Sequence, residues 1–93
     1  MIVRFAIDPA GAGLFEYSVS YESEALFEDT GLTSIEDCIV AATEGLGQDA
    51  VAAEIAYRGI VSGTYPLASL ALMSAQIAEH ALNTTQAIEE LIR

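Results

Sequence analysis

From Phe15 onward, the stretch Leu14-Phe15-Glu16-Tyr17-Ser18-Val19-Ser20-Tyr21-Glu22 alternates aromatic or branched apolar side chains with polar ones. Successive residues of a strand point to opposite faces, so a period of two marks a half-buried β-strand. Upstream, Ile2 to Ile7 reads as its partner, with Val3, Phe5 and Ile7 on one face. Asp8-Pro9-Ala10-Gly11-Ala12-Gly13 lies between them and carries the turn residues of a hairpin loop. Its glycines do not make a phosphate cradle, because the loop leads into a strand rather than a helix and holds no Lys.

Downstream, Ser23 to Gly31 reads as a polar, acidic connection to a helix. Thr33 with Glu36 has the spacing of a capping box. Ile35, Cys38, Ile39, Ala42 and Leu46 follow as an apolar stripe, and Gly45 and Gly47 supply the stop. Glu36 and Asp37 fall in the first turn, where the helix dipole favours negative charge. Val51 to Tyr57 alternates again and reads as a strand. A short return strand is expected near Thr64-Tyr65, ended by Pro66, which cannot donate to a central ladder.

The last segment reads as a helix with Ser69 as its N-cap and Leu70, Met73, Ile77, Ala81 and Leu82 on one face. Unbroken from Leu70 to Ile92 it would extend roughly 34 Å at ~1.5 Å per residue. That exceeds the ~26 Å diameter of a compact chain of this size. Asn83 with Gln86 repeats a capping pattern, so residues 84–93 are expected as a possible separate C-terminal helix. The order is β-β-α-β-(β)-α. It predicts one α+β domain over residues 1–93, an antiparallel sheet of three to four strands with two helices on one face.

Charge is distributed very unevenly. Between Asp8 and Glu54 stand eleven carboxylates and no Lys, Arg or His, so residues 1–54 carry −10 of the net −11. Phosphate backbones are bound by cations, and three Arg against fourteen acids exclude direct nucleic-acid binding. The same field repels anionic membranes and attracts basic protein surfaces. An apolar fraction of 53% excludes a disordered acidic tail and exceeds what one small core hides, which predicts a homo-oligomer, a dimer. Ile88, Leu91 and Ile92 at the C-terminal end are the candidate self-association residues.

The residues do not assemble a catalytic set. One Cys, one His and no Lys leave no zinc site and no nucleophile–base couple, since Cys38 lies on a buried stripe and His80 beside an apolar one. The alternating ligands of a calcium loop are absent around Glu28 and Asp29. A non-enzymatic protein without a cofactor is expected. No apolar stretch has the ~18–20 residues that span a bilayer, and no leader-like layout opens the chain, so a cytoplasmic protein is expected. Glu22 and Glu24, on one face of an extended segment, would stand about 6.7 Å apart. With Glu16, Glu28 and Asp29 they form a candidate acidic ridge, comparable in spacing to successive phosphates.

The segments FAIDPAGAGLFEYSVSY (5–21) and GLTSIEDCIVAATEGL (31–46) resemble the hairpin-plus-helix half of HicB-type antitoxins. The Pro-rich stretch and DNA-binding tail of that family are missing. In size and charge the chain is also similar to phage anti-defence proteins, including anti-CRISPR inhibitors. Three functions are therefore expected in order. The first is an acidic nucleic-acid mimic that blocks a basic site on a nuclease, toxin or nucleic-acid-binding effector. The second is an antitoxin or immunity-type protein that neutralises one basic toxin. The third is a small-molecule-binding domain with a pocket near Tyr57, Arg58 and Tyr65.

Overall fold

β1 (Ile2–Gly11) and β2 (Leu14–Tyr21) form the expected hairpin, with Phe5 opposite Val19 and Ile7 opposite Tyr17. A computed structural model describes residues 1–92. β1 outruns its sequence estimate, because Asp8 and Pro9 continue the ladder opposite Glu16 and Phe15, leaving only Ala12-Gly13 as the turn. Gly13 sits at φ +71°, a conformation that glycine adopts without steric cost.

The segment expected as an acidic connection is instead a strand. The chain reverses at Glu22-Ser23 and returns as β3 (Glu24–Leu32), antiparallel to β2. α1 (Ile35–Glu44) then packs on β1, β2 and β3 and carries the chain across the sheet. Its cap lies one residue later than expected. Ser34 Oγ accepts from the Asp37 N–H at 2.9 Å, and Thr33 Oγ1 donates to Asp37 Oδ2 at 2.7 Å. Ile35, Cys38, Ile39 and Ala42 are buried, as the stripe predicts.

β4 (Ala52–Tyr57) lies parallel to β1, with Val3 beside Ala53 and Phe5 beside Ile55. β5 (Ile60–Pro66) returns antiparallel to it around the Arg58-Gly59 turn, longer at its start than expected. The sheet is thus five-stranded and mixed, in the order β3-β2-β1-β4-β5. The α+β architecture with its helices on one face stands, and β3 and the parallel β1–β4 pair extend it. Parallel neighbours need a crossover, and α1 is that crossover.

Three helices replace the expected two. α2 (Leu67–Leu72) starts directly after Pro66 rather than at Ser69, and α3 (Ser74–Leu91) follows a break at Met73. α3 runs through Asn83 without interruption, so residues 84–91 belong to it and are not a separate helix. Leu70, Ile77 and Ala81 are buried as expected, whereas Met73, at the break, is 47% exposed. Two hydroxyls fix α3 in place. Ser74 Oγ donates to Glu36 Oε2 at 3.0 Å, and buried Thr85 Oγ1 donates to the Tyr57 carbonyl at 3.0 Å.

One core lies between the helices and the sheet. Phe5, Ile7, Val19, Ile39, Ile55 and Leu70 are among its fully enclosed side chains. At the β3 edge, Phe27 closes it edge-on to Tyr17, with ring centroids 6.3 Å apart.

Candidate partner-binding face

Among the described residues, no element lies over the side of the sheet opposite the helices. Strand alternation turns Arg4, Ala6 and Asp8 of β1 toward that side, since Val3, Phe5 and Ile7 enter the core. The ladders add Glu16, Ser18 and Ser20 from β2, Glu28 and Thr30 from β3, and Glu54 from β4. The middle of this face is floored by small side chains, Ala6, Ser18 and Ser20. Carboxylates surround them.

These acids form one group. Asp8 stands directly opposite Glu16, while Glu28 stands opposite Ser18 and therefore diagonal to Glu16. Diagonal neighbours on an antiparallel pair lie about 7–8 Å apart. Asp8, Glu16, Ser18 and Glu28 line a common shallow depression with Ala6. Toward the other end, Arg4, Ser20, Glu22 and Glu54 line a groove of about 460 Å³. Arg4 is paired there with Glu54 at 3.6 Å. Among the described residues the other ion pair is Arg58–Glu89 at 3.2 Å, on the helix side, so Asp8, Glu16, Glu22 and Glu28 have no cation against them.

The acidic ridge drawn from the sequence divides between two faces. Glu16, Glu22 and Glu28 belong to the open one. Asp29 follows Glu28 in a strand and opposes Tyr17, so it projects toward the helices. There it contributes, after burial itself, to raising the Tyr17 hydroxyl above its ordinary pKa. Glu24 opposes Tyr21 and leaves the open face likewise. Glu22 and Glu24 do not share an extended face, because Glu22 (φ +49°) and Ser23 (φ +70°) form the turn between β2 and β3. Pro9 and the glycines mark Asp8 as a loop residue in the sequence, yet it belongs to the ladder opposite Glu16. The even-numbered series Arg4, Ala6, Asp8 was the signal that could have found it.

The remaining chemistry is sparse. Burial pushes the Cys38 thiol up to about 11, with Asp37 and Asp29 adding to the effect. His80 is exposed. Among the described residues no three His, Cys, Asp or Glu side chains are grouped to hold a metal ion. No helix is long and apolar enough to cross a membrane. Tyr57 is buried, with its ring 6.4 Å from that of Phe15, and Tyr65 lies over Gly63. An apolar groove of about 340 Å³ lies elsewhere, between α1 and α3, lined by Phe15, Ile35, Ala78 and Leu82. Ile88, Leu91 and Ile92 are 40%, 82% and 78% exposed. No family model, curated protein or solved structure matches the chain.

Proposed function

We propose that this protein acts by binding, as a non-enzymatic acidic inhibitor whose open sheet face occupies a nucleic-acid-binding site on a basic protein. The observation that carries this reading is the grouping of Asp8, Glu16 and Glu28 on one uncovered face, with Glu22 at its other end and, among the described residues, no ion pair to any of the four. Directly opposed like charges oppose folding, and a basic partner relieves that repulsion. Arg and Lys side chains of such a partner meet these carboxylates and form charge-assisted hydrogen bonds with them. The floor of Ala6, Ser18 and Ser20 allows close approach. Phage anti-defence and anti-CRISPR-like inhibition is the setting that this chemistry suits best.

The backbone adds support. Glu22 and Ser23 both sit at positive φ in a two-residue hairpin turn, where Asn-Gly is the low-energy choice. A glutamate held there at a cost in stability is consistent with a role for its charge.

The test is capture from a bacterial lysate at low and high salt, with competing duplex DNA. Wild-type protein is expected to retain basic proteins that salt or DNA releases. Reversing Asp8, Glu16 and Glu28 to Lys is expected to abolish capture, and reversing Glu24 and Asp29 on the other side is not. Equal capture by both variants would refute the reading.

An antitoxin or immunity-type protein would use the same face, and the identity of the captured protein separates it from the first reading. The apolar groove between α1 and α3 favours small-molecule binding as a third reading. Binding there resists salt, whereas binding through the acidic face weakens with it.

A further inference from the structure

The two edges of the sheet are built differently. β3 carries Glu24, Glu28 and Asp29, and its pairing with β2 is interrupted by two irregularities. Charges and bulges are the usual means by which an edge strand avoids pairing with another chain. β5, Ile60-Val61-Ser62-Gly63-Thr64-Tyr65-Pro66, has no charged residue. Its only interruptions are one irregularity near Ser62 and the closing Pro66. Among the described residues no strand lies beside its outer backbone groups.

The outer flank of the helix above that edge is equally free of acid. α3 packs over β4 and β5, and Ala75, Ala78, Glu79 and Leu82 border its groove with α1. At 3.6 residues per turn the opposite flank, over the β5 edge, is made by Gln76, His80, Thr84, Ala87 and Leu91. No carboxylate lies on this flank, and none lies in α2. In a chain of net charge −11, this is the side on which two copies can approach without opposing their acids.

The flank also has two exposed apolar ends. Leu72 (83% exposed) and Met73 lie where α3 begins, and Leu91 and Ile92 lie where it ends. They are separated by about 27 Å of helix, at ~1.5 Å per residue.

We infer that the β5 edge and the outer flank of α3 form a self-association surface whose occupant is a second copy of this chain. β5 of each copy pairs antiparallel with β5 of the other, about a two-fold axis normal to the sheet. The result is one continuous ten-stranded sheet with both helix layers on the same side. The axis also sets the two α3 helices antiparallel, so that Leu72 and Met73 of one copy meet Leu91 and Ile92 of the other. Each apolar end is thereby covered twice, as an isologous interface requires. Both acidic faces then look the same way and present two neighbouring sites. The inference is independent of what those faces bind.

Sedimentation equilibrium tests it. Wild-type protein is expected at twice the mass of one chain, and its dimer is expected to tighten as salt screens repulsion between copies. Val61→Glu with Thr64→Glu, both at exposed β5 positions, is expected to weaken the dimer roughly tenfold or more by setting like charges against each other across the paired β5 strands. Leu72→Glu with Leu91→Glu is expected to do the same from the helix side. Unchanged circular dichroism shows that each variant still folds, and hydrogen exchange adds a readout at the interface. β5 amides should exchange faster in the first variant, while β3 amides should be unaffected. A wild-type monomer at every concentration would overturn the inference. So would a dimer untouched by both variants, or one that loosens with salt.

Discussion

Asp8 and Glu16 face each other across the β1–β2 hairpin, two carboxylates on directly paired residues of an otherwise well-packed ladder. Like charges in this relation cost folding energy, and among the described residues neither has a cation against it. This arrangement gives the face its field and makes it a weak point of the fold.

Replacing Glu16 with Lys sets a cation opposite Asp8 and diagonal to Glu28. We expect the variant to be more stable by about 0.5–1 kcal/mol, which for a domain of this size raises Tm by roughly 2–8 °C. Thermal unfolding at low salt measures it. The gain should shrink as salt is added, and capture of basic proteins should fall. A lower Tm would mean that the opposed carboxylates are not in conflict.

The Glu22-Ser23 turn gives a second opportunity for stabilisation. Asn at 22 and Gly at 23 accept positive φ without the strain that Glu and Ser carry. The double substitution Glu22→Asn, Ser23→Gly is expected to add roughly 1 kcal/mol, read as a higher urea midpoint with an unchanged slope. Partner binding should weaken in the same protein, since one carboxylate is lost from the open face.

Thr85 ties α3 to the end of β4 through its bond to the Tyr57 carbonyl. Thr85→Val keeps the volume and leaves that carbonyl without this donor. A loss of about 1–2 kcal/mol is expected in denaturant unfolding. Thr85→Ser keeps the donor but gives up a buried methyl group. Its bond should survive, so the comparison separates the hydroxyl from the packing.

The Cys38 thiol, raised from its ordinary value near 9.0 to about 11, makes stability fall at alkaline pH. Between those values the native state still holds a proton that the unfolded chain has released, so rising pH favours unfolding. The contribution is complete below about pH 9 and is lost as pH approaches 11. Burial raises Tyr17 and Tyr57 as well, and their effect has the same sign at higher pH. Cys38→Ala should reduce the slope of stability against pH in this window. A thiol reagent should label wild-type protein only as fast as it opens.

The elements with a buried face were legible in the sequence. β1, β2, β4 and α1 each bury one side, and burial writes a period of two or 3.6 into the chain. β3 buries almost nothing beyond partial cover of Phe27 and Leu32, so it shows no alternation, and its turn lacks the usual glycine signal. The break at Met73 is not legible in the sequence for a related reason. No breaker residue marks it, and the contact that holds the following turn, Ser74 to Glu36, joins residues 38 apart in sequence. Of the acidic residues singled out beforehand, Glu16, Glu22 and Glu28 share the open face. Asp8 joined them only once β1 was seen to continue past it.

By itself, then, the sequence determined local things. It specified which segments have an apolar face, that the class is α+β, and that nearly all the negative charge lies in the first 54 residues. Tertiary structure decided how those segments pair and which way each carboxylate looks. β4 reads the same whether it lies parallel or antiparallel to β1, and only α1, crossing the core, selects parallel. Consecutive acids such as Glu28 and Asp29 read as one run of charge until a strand puts them on opposite sides. Side-chain direction depends on pairing, and pairing joins residues that no local pattern connects.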